Sequence, residues 1–100
     1  FGLPVLESMA CGTPIVCSDV ASLSEIGKNA AILCDPSDPD NIAHKIKDVL
    51  KLNQKEREDL SRKLISHAAK FNWEKAAKNT MAVYENVINF RGPKGLGTVL

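Results

Sequence analysis

The chain has 100 residues, 44% hydrophobic and 25% charged, with 13 Lys+Arg against 12 Asp+Glu. This length allows at most one small domain, and the near balance of charge gives no electrostatic reason to expect nucleic acid or an acidic surface as a partner. No apolar run approaches the ~18 residues of a transmembrane helix, and because the chain begins with Phe1 and shows no signal peptide, we interpret it as part of a longer protein.

The first predicted element is a short helix between two glycines. Gly2-Leu3-Pro4 begins it, because proline lacks the N–H that would have no partner in a first helical turn. Gly12 suits the left-handed residue that ends a helix, and Glu7 lies about one turn in. A helix N-terminus offers N–H groups and a positive dipole end to an anion. A carboxylate beside it can accept hydrogen bonds from sugar hydroxyls.

Two short apolar runs, residues 15–18 and 30–34, predict buried strands. Between them, Ser22 and Glu25 form a capping-box pattern that predicts the start of a short helix. Gly27 is expected to end that helix. A strand, a short helix and a second strand indicate a parallel pair.

Three further helices are predicted, with Asp38, Asn53 and Asn72 as their N-caps. Their apolar residues recur at helical spacing. The predicted apolar faces are Ile42, Ile46, Val49 and Leu50, then Leu60, Leu64, Ala68 and Phe71, then Trp73, Ala76, Ala77, Met81, Tyr84, Val87 and Ile88. Trp73 is interpreted as core, the charged residues around 55–59 as a solvated face, and the breaker-rich residues 91–100 as a flexible tail.

The cysteines and histidines do not form a recognisable metal or redox motif. Cys11, Cys17 and Cys34 are odd in number, and their spacing fits no common zinc or redox pattern, so small buried thiols are predicted. Unpaired thiols are typical of a reducing, cytoplasmic setting. His44 and His67 are placed on charged helix faces, without the partners that a metal site needs. We therefore predict no metal.

Three stretches, in the expected order, resemble family 4 glycosyltransferases of the GT-B fold. FGLPVLESMACGTPIVCSD resembles their donor-binding segment, in which two glutamates stand eight positions apart. Glu7 matches the second glutamate, and the first would precede Phe1 by two residues. SDVASLSEIGKNAAILCDPSDPDNIAHKI resembles the region between the last strands and the following helix, and FNWEKAAKNTMAVYENVI resembles the closing helix. The resemblance covers about residues 1–90.

The resemblance implies an α/β fold, a partial Rossmann-like segment of the GT-B C-terminal domain with two short parallel strands and about five helices. Residues 1–90 would be the C-terminal part of the donor-binding domain, and residues 91–100 a flexible tail. The last helix would cross back towards an N-terminal acceptor domain that this chain lacks. Because such a piece would leave a sheet edge and apolar helix faces uncovered, we expect it to be marginally stable alone.

The resemblance also implies the residues of a donor site. Glu7 would accept hydrogen bonds from the ribose hydroxyls of a nucleotide, and the backbone of Phe1, Gly2 and Leu3 would lie beside the sugar and diphosphate. Gly2 suits this position because it allows close approach of backbone to ligand. Weaker polar candidates are Thr13, Ser18, Asp19 and Glu25, for which turn, strand-end, loop or cap roles are the simpler interpretation.

The function implied is transfer of a hexosyl group from a UDP-, GDP- or ADP-sugar to an acceptor with retention of configuration, without a cofactor or metal. The first glutamate and a basic Arg–Lys pair would lie upstream, so no catalytic residue is expected within this chain, and the chain alone is predicted to be inactive. A cytoplasmic protein is implied, and peripheral membrane contact stays open. The alternatives are a non-catalytic module that binds a nucleotide or a protein, and a merely structural α/β segment.

Overall fold

The computed structural model describes residues 1–90, so the predicted flexible tail, residues 91–100, lies outside the described residues. Within residues 1–90, five helices and two strands follow one another in the order that the sequence predicted, which confirms the α/β class. In chain order they are α1 (Leu3–Ala10), β1 (Val16–Ser18), α2 (Ala21–Gly27), β2 (Ile32–Cys34), α3 (Pro39–Leu50), α4 (Gln54–Ala68) and α5 (Trp73–Asn89). No helix among residues 1–90 combines the length and apolar content needed to cross a bilayer.

The chain divides into two compact units. The first unit, Phe1–Lys70, contains α1 to α4 and both strands. The second begins at Phe71, and α5 is the one helix in its described part. Each unit is therefore described separately below.

The sheet of the first unit is a parallel pair, as predicted. Val16 aligns with Ile32 and Ser18 with Cys34, and α2 connects the two strands. β2 is shorter than the predicted run of residues 30–34, because the amides of Ala30 and Ala31 both donate to the carbonyl of Gly27, at 3.0 and 2.8 Å. Those amides end α2 and do not join the sheet.

The core of the first unit lies where α1, α2 and α4 meet the sheet. Its buried residues are Val5, Met9, Cys17, Ile26, Ala30 and Leu64. Met9 of α1 and Leu64 of α4 have no exposed surface at all. Burying a side chain of this size stabilises a fold by about 1.5–3 kcal/mol. Met9 therefore anchors α1 in the core near the C-terminal end of the helix.

The three predicted N-caps are confirmed. The Asp38 side chain accepts hydrogen bonds from the amides of Asp40 and Asn41 at 3.1 and 3.2 Å. Asn53 and Asn72 each accept from the amide three residues later, both at 2.8 Å. These side chains satisfy amides that would otherwise lack an intrahelical partner.

The predicted capping box of α2 is wrong. Val20 has the extended backbone of an N-cap, with φ −135° and ψ 140°, and no side chain caps the helix. Because α2 therefore begins at Ala21, Ser22 lies inside the first turn and cannot cap it. Gly27 does end α2, but it is not left-handed: a Cβ there would lie 3.1–3.3 Å from its neighbours, so close packing is the reason for glycine.

The predicted apolar faces are only partly buried. In α3, Leu50 is 68% exposed, and the helix has no buried residue. Phe71 follows α4 and belongs to the second unit, so it is not part of the α4 face. Trp73 is 81% exposed, which corrects its interpretation as core. The described part of its unit contains no second helix or strand against which the α5 face could pack.

The cysteine prediction holds for two of the three residues. Cys17 and Cys34 are buried and unpaired, whereas Cys11 is exposed. Cys11 is the C-cap residue directly after the last residue of α1, and its amide donates to the carbonyl of Glu7. Its position at the helix end leaves the side chain outside the core.

Candidate functional site

The N-terminal turn of α1 is built on the left-handed conformation of Gly2. Gly2 has φ 88° and ψ 42° and precedes the first helical residue. The amide of Val5 donates to the Gly2 carbonyl at 3.0 Å, and Pro4, in the first turn, has no N–H. A left-handed conformation favours glycine over every residue with a Cβ. The turn predicted from Gly2-Leu3-Pro4 is therefore present.

Close packing gives Gly2 a second reason to be glycine. A Cβ at this position would lie 2.6 Å from Cδ2 of Leu23 and 3.6 Å from Cδ1 of Ile26, both in α2. The side chains of Leu23 and Ile26 thus pack directly against the Gly2 backbone, and we call these two side chains the floor of the turn. A shift of Leu23 towards Gly2 would therefore press directly on this turn.

Gly12 fixes the other end of α1. It has φ 70°, its amide donates to the carbonyl of Met9 at 2.9 Å, and the amide of Thr13 donates to the carbonyl of Ser8 at 3.0 Å. This pair of bonds is a Schellman motif. A Cβ on Gly12 would lie 2.2 Å from Oγ of Ser61 in α4. Glycines thus hold α1 against α2 at one end and against α4 at the other.

Glu7 lies on the exposed face of α1, opposite the core. Leu3, Pro4 and Glu7 are spaced three and four residues apart, so their side chains share one face, and all three are exposed. Val5 and Met9 occupy the buried face. Among residues 1–90, the Glu7 carboxylate accepts no hydrogen bond and forms no ion pair. The carboxylate is therefore available to a ligand.

Three of the four predicted site residues, Phe1, Gly2 and Leu3, lie at the N-terminal end of α1, and Glu7 lies in the second turn of the helix. Phe1 is 72% exposed, Leu3 is 49% exposed, and Gly2 is half-buried between them. Glu7 follows one helical turn after Leu3. An exposed apolar residue, a left-handed glycine and an unpaired carboxylate thus surround the turn.

Two of the weaker candidates, Thr13 and Asp19, make main-chain hydrogen bonds. Thr13 completes the Schellman motif with its amide, and its carbonyl accepts the Ser8 hydroxyl at 3.2 Å. Asp19 follows β1, and its amide donates to the carbonyl of Cys34 at 2.8 Å. Ser18 is half-buried in β1, and Glu25 is exposed on α2.

Two pKa values are displaced in the first unit. Burial raises the pKa of the Cys17 thiol, and the nearby Cys34 and Asp19 raise it further. Cys17 is therefore a poor nucleophile at neutral pH, because the thiolate is the reactive form.

The hydroxyl of Ser37 donates to the Asp35 carboxylate at 2.6 Å, and its amide donates at 2.9 Å; these bonds hold the pKa of Asp35 below its ordinary range.

The histidines differ from each other in their surroundings. His44 is exposed and lies 3.6 Å from the Asp48 carboxylate, one turn later on α3. His67 does not lie on a charged face as predicted: it is half-buried, and its Nε2 lies 2.7 Å from the carbonyl oxygen of Ile26. Within the described residues, no cluster of three or more His, Cys, Asp or Glu side chains could hold a metal ion.

The sequence did not reveal an open cleft of about 370 Å³ near the C-terminal end of α1. Arg62 at its edge pairs with Asp59 on the same helix. The four residues of the predicted site do not line this cleft, so it is separate from the Gly2 turn. Its lining consists of Gly12, Pro14, Arg57, Glu58, Ser61 and Arg62. The helical spacing of Arg57, Ser61 and Arg62 was the one signal that could have suggested it.

Known proteins match most of this chain. A family model described as "Glycosyl transferases group 1" matches residues 1–80. The O-antigen chain mannosyltransferase B of Escherichia coli is 39% identical over 85 residues, which cover 85% of this chain and 22% of that protein. A D-inositol 3-phosphate glycosyltransferase of Paenarthrobacter aurescens (strain TC1) is 34% identical over 91 residues, covering 89% of this chain and 22% of that protein.

A third relative is named for its donor. The GDP-mannose-dependent alpha-(1-6)-phosphatidylinositol dimannoside mannosyltransferase of Mycobacterium tuberculosis (strain ATCC 25177 / H37Ra) is 35% identical over 82 residues, covering 82% of this chain and 21% of that protein. The matched part of the chain thus spans about a fifth of the length of these curated relatives.

Proposed function

This chain belongs to the glycosyl transferases group 1 family, and we propose that residues 1–90 form the C-terminal part of the donor-binding domain of a longer hexosyltransferase. The donor is a nucleoside diphosphate sugar of the UDP, GDP or ADP class, and the sugar is transferred with retention of configuration. Relatives whose names specify mannosyl and inositol phosphate glycosyl transfer support sugar transfer as the reaction.

The observation that carries this proposal is the unpaired, exposed carboxylate of Glu7 beside the Gly2 turn. The carboxylate can accept two hydrogen bonds from the adjacent hydroxyls of a ribose, since an ionised carboxylate only accepts. The Gly2 and Leu3 amides lie at the N-terminal end of α1, where the helix dipole favours an anion such as a diphosphate. The first two turns of the helix would thus bind both parts of the nucleotide.

The chemistry requires stabilisation of a leaving diphosphate. An acceptor hydroxyl oxygen bonds to the anomeric carbon, the bond from that carbon to the diphosphate oxygen breaks, and the electron pair stays on the diphosphate. The hydroxyl proton leaves to a base or to the departing diphosphate itself. Backbone N–H groups that face the developing negative charge lower the barrier, because they need no reorganisation during the reaction.

The rest of the machinery is proposed to lie outside this chain. The resembled motif places its first glutamate and its Arg–Lys pair before Phe1, and the acceptor domain belongs to the same longer polypeptide. We therefore expect the 100-residue chain alone to transfer no sugar. Turnover of any UDP-, GDP- or ADP-sugar by the chain alone would contradict this expectation.

Replacing Glu7 with Gln in the complete protein tests the donor site. A carboxylate hydrogen bond to a ligand is worth about 1.5–3 kcal/mol, so kcat/KM for the donor should fall by roughly ten- to hundredfold. The melting temperature should not change, because Glu7 is exposed and has no partner among residues 1–90. Glu25→Gln, the same change on the exposed side of α2, is the matched control and should leave transfer intact.

Two results would overturn the proposal. Equal kcat/KM for Glu7→Gln and the unmutated protein would remove Glu7 from the donor site. No transfer by the unmutated complete protein, across a panel that begins with GDP-mannose, would favour the non-catalytic binding module. Binding of the nucleotide without transfer would then be measured by calorimetry.

A further inference from the structure

His67 makes a long-range hydrogen bond to the last turn of α2. Its Nε2 lies 2.7 Å from the Ile26 carbonyl oxygen, 41 residues away in sequence. A carbonyl oxygen only accepts, so Nε2 must carry the hydrogen and donate it. Ile26 is the penultimate residue of α2, and carbonyls at a helix C-terminus have no intrahelical donor. His67 of α4 therefore caps α2 with its side chain.

The capped residue also touches the proposed donor site. The Ile26 side chain is 3% exposed and packs in the core with Val5 and Met9 of α1. Its Cδ1, with Cδ2 of Leu23, forms the floor below the Gly2 backbone. The hydrogen bond from His67 thus holds the helix on which the Gly2 turn rests.

Helix α4 holds both helices that shape this turn. Leu64 and His67 are three residues apart and share one face of α4. Leu64 is fully buried in the cluster that contains Met9 of α1, while His67 is bonded to α2. One side chain of α4 therefore fixes α1 by packing, and the other fixes the last turn of α2 by a directed bond.

We infer that His67 is a positioning residue for the donor turn: by donating to the Ile26 carbonyl, it fixes α2 below Gly2 and so sets where the Gly2 and Leu3 amides point. The inference rests on the proposed function, because it assumes that these amides face the donor. A small displacement of α2 would reach Gly2 directly, since no space separates Leu23 from its backbone. The bond would then matter for donor affinity as well as for stability.

A pair of amide substitutions in the complete protein tests the inference. In His67→Gln, the amide nitrogen reaches the position of Nε2 and can still donate to the Ile26 carbonyl. In His67→Asn, the amide nitrogen stops near the position of Nδ1 and cannot reach it. The expected result is a three- to tenfold rise in donor KM for His67→Asn, about the worth of one hydrogen bond. Donor KM for His67→Gln should stay near that of the unmutated protein, and acceptor KM should not change in either variant.

His44→Asn is the control, since His44 is exposed on α3, and it should change neither KM. A lower melting temperature for His67→Asn, with donor KM and kcat unchanged, would make His67 a purely structural cap and overturn the inference. Equal rises in donor and acceptor KM would also overturn it, because the effect would then not be specific to the donor site. If His67→Asn does not fold, Leu23→Val loosens the same floor with His67 intact, and an unchanged donor KM there overturns the inference.

Failure of this inference can be distinguished from failure of the proposed function. If Glu7→Gln raises donor KM and His67→Asn does not, only the role of His67 is wrong. If Glu7→Gln has no effect on the donor, the donor site itself is wrong, whatever His67 does.

Discussion

Helices α1 and α5 both have apolar residues at helical spacing, but their surroundings are very different. α1 has eight residues and buries Val5 and Met9. α5 has 17 residues, is capped by Asn72, and buries none of its side chains. α1 packs with α2 and α4 in one core, whereas α5 is the one helix in the described part of its unit. Periodicity thus identifies a face that can be buried, and the partners within the unit decide whether it is.

The largest effect on stability is expected at the buried methionine of α1, and the exposed methionine of α5 provides the comparison. Met9 is fully buried and Met81 is 55% exposed. Met9→Ala leaves a cavity and should cost about 2–5 kcal/mol, so its unfolding midpoint in urea should fall sharply. Met81→Ala should stay within about 0.5 kcal/mol of the unmutated chain. Urea unfolding of the 100-residue chain, followed by circular dichroism, measures the free energy of unfolding of both variants. Equal losses for Met9→Ala and Met81→Ala would contradict the difference between the two helices.

A smaller effect is expected at the C-terminal glycine of α1. Gly12→Ala forces a side chain into a left-handed conformation and against Oγ of Ser61, 2.2 Å from the new Cβ. Strain of this kind costs about 1–3 kcal/mol. Adding Ser61→Ala should recover part of the loss, since the hydroxyl is removed while the backbone strain remains. No recovery in the double variant would show that the backbone conformation alone decides the cost.

The N-cap residues of α4 and α5 allow the stability of the two units to be compared directly. Asn53→Ala and Asn72→Ala remove equivalent bonds, each 2.8 Å long, and each should cost about 1 kcal/mol of helix stability. For Asn53 the loss should appear in the cooperative unfolding of the first unit, because α4 carries Leu64. For Asn72 it should appear as fraying of α5. Amide hydrogen exchange read residue by residue separates the two, and lower protection in α1 for Asn72→Ala would contradict this division.

The smallest effect concerns the turn between β2 and α3. Ser37→Ala removes the hydroxyl that donates to Asp35, so the pKa of Asp35 should rise towards its ordinary range. Because the folded-state pKa is depressed, the stabilisation from this bond is present above the ordinary carboxyl pKa and is lost as pH falls through the folded value. NMR titration of the Asp35 carboxyl carbon measures the shift. An unchanged pKa would leave the amide of Ser37 as its cause.

The sequence predicted local features better than tertiary ones. Asp38, Asn53 and Asn72 act as caps within four residues of their partners, so their roles could be read from the chain directly. Gly12 was likewise predicted as a left-handed helix end. The exposure of Trp73 could not be predicted, because it depends on which elements share its unit.

The candidate site shows the same limit. The Gly2 turn and the exposure of Glu7 follow from the spacing of one short helix, but the floor formed by Leu23 and Ile26 depends on the packing of α2 against α1. The bond from His67 to Ile26 joins residues 41 positions apart. No local pattern indicates such a partner, which is why His67 was assigned to a charged face.

The three thiols of this chain differ enough in exposure for the 100-residue chain to be labelled at a single site. Cys11 is exposed, while Cys17 and Cys34 are buried, and the raised pKa of Cys17 keeps it protonated at neutral pH. A maleimide dye should therefore attach to Cys11 first. Cys11 lies four residues after Glu7, one helical turn along the same side of α1. If Glu7 binds the donor as we propose, an environment-sensitive fluorophore there should report the arrival of a nucleotide without radioactive sugar or any enzymatic turnover.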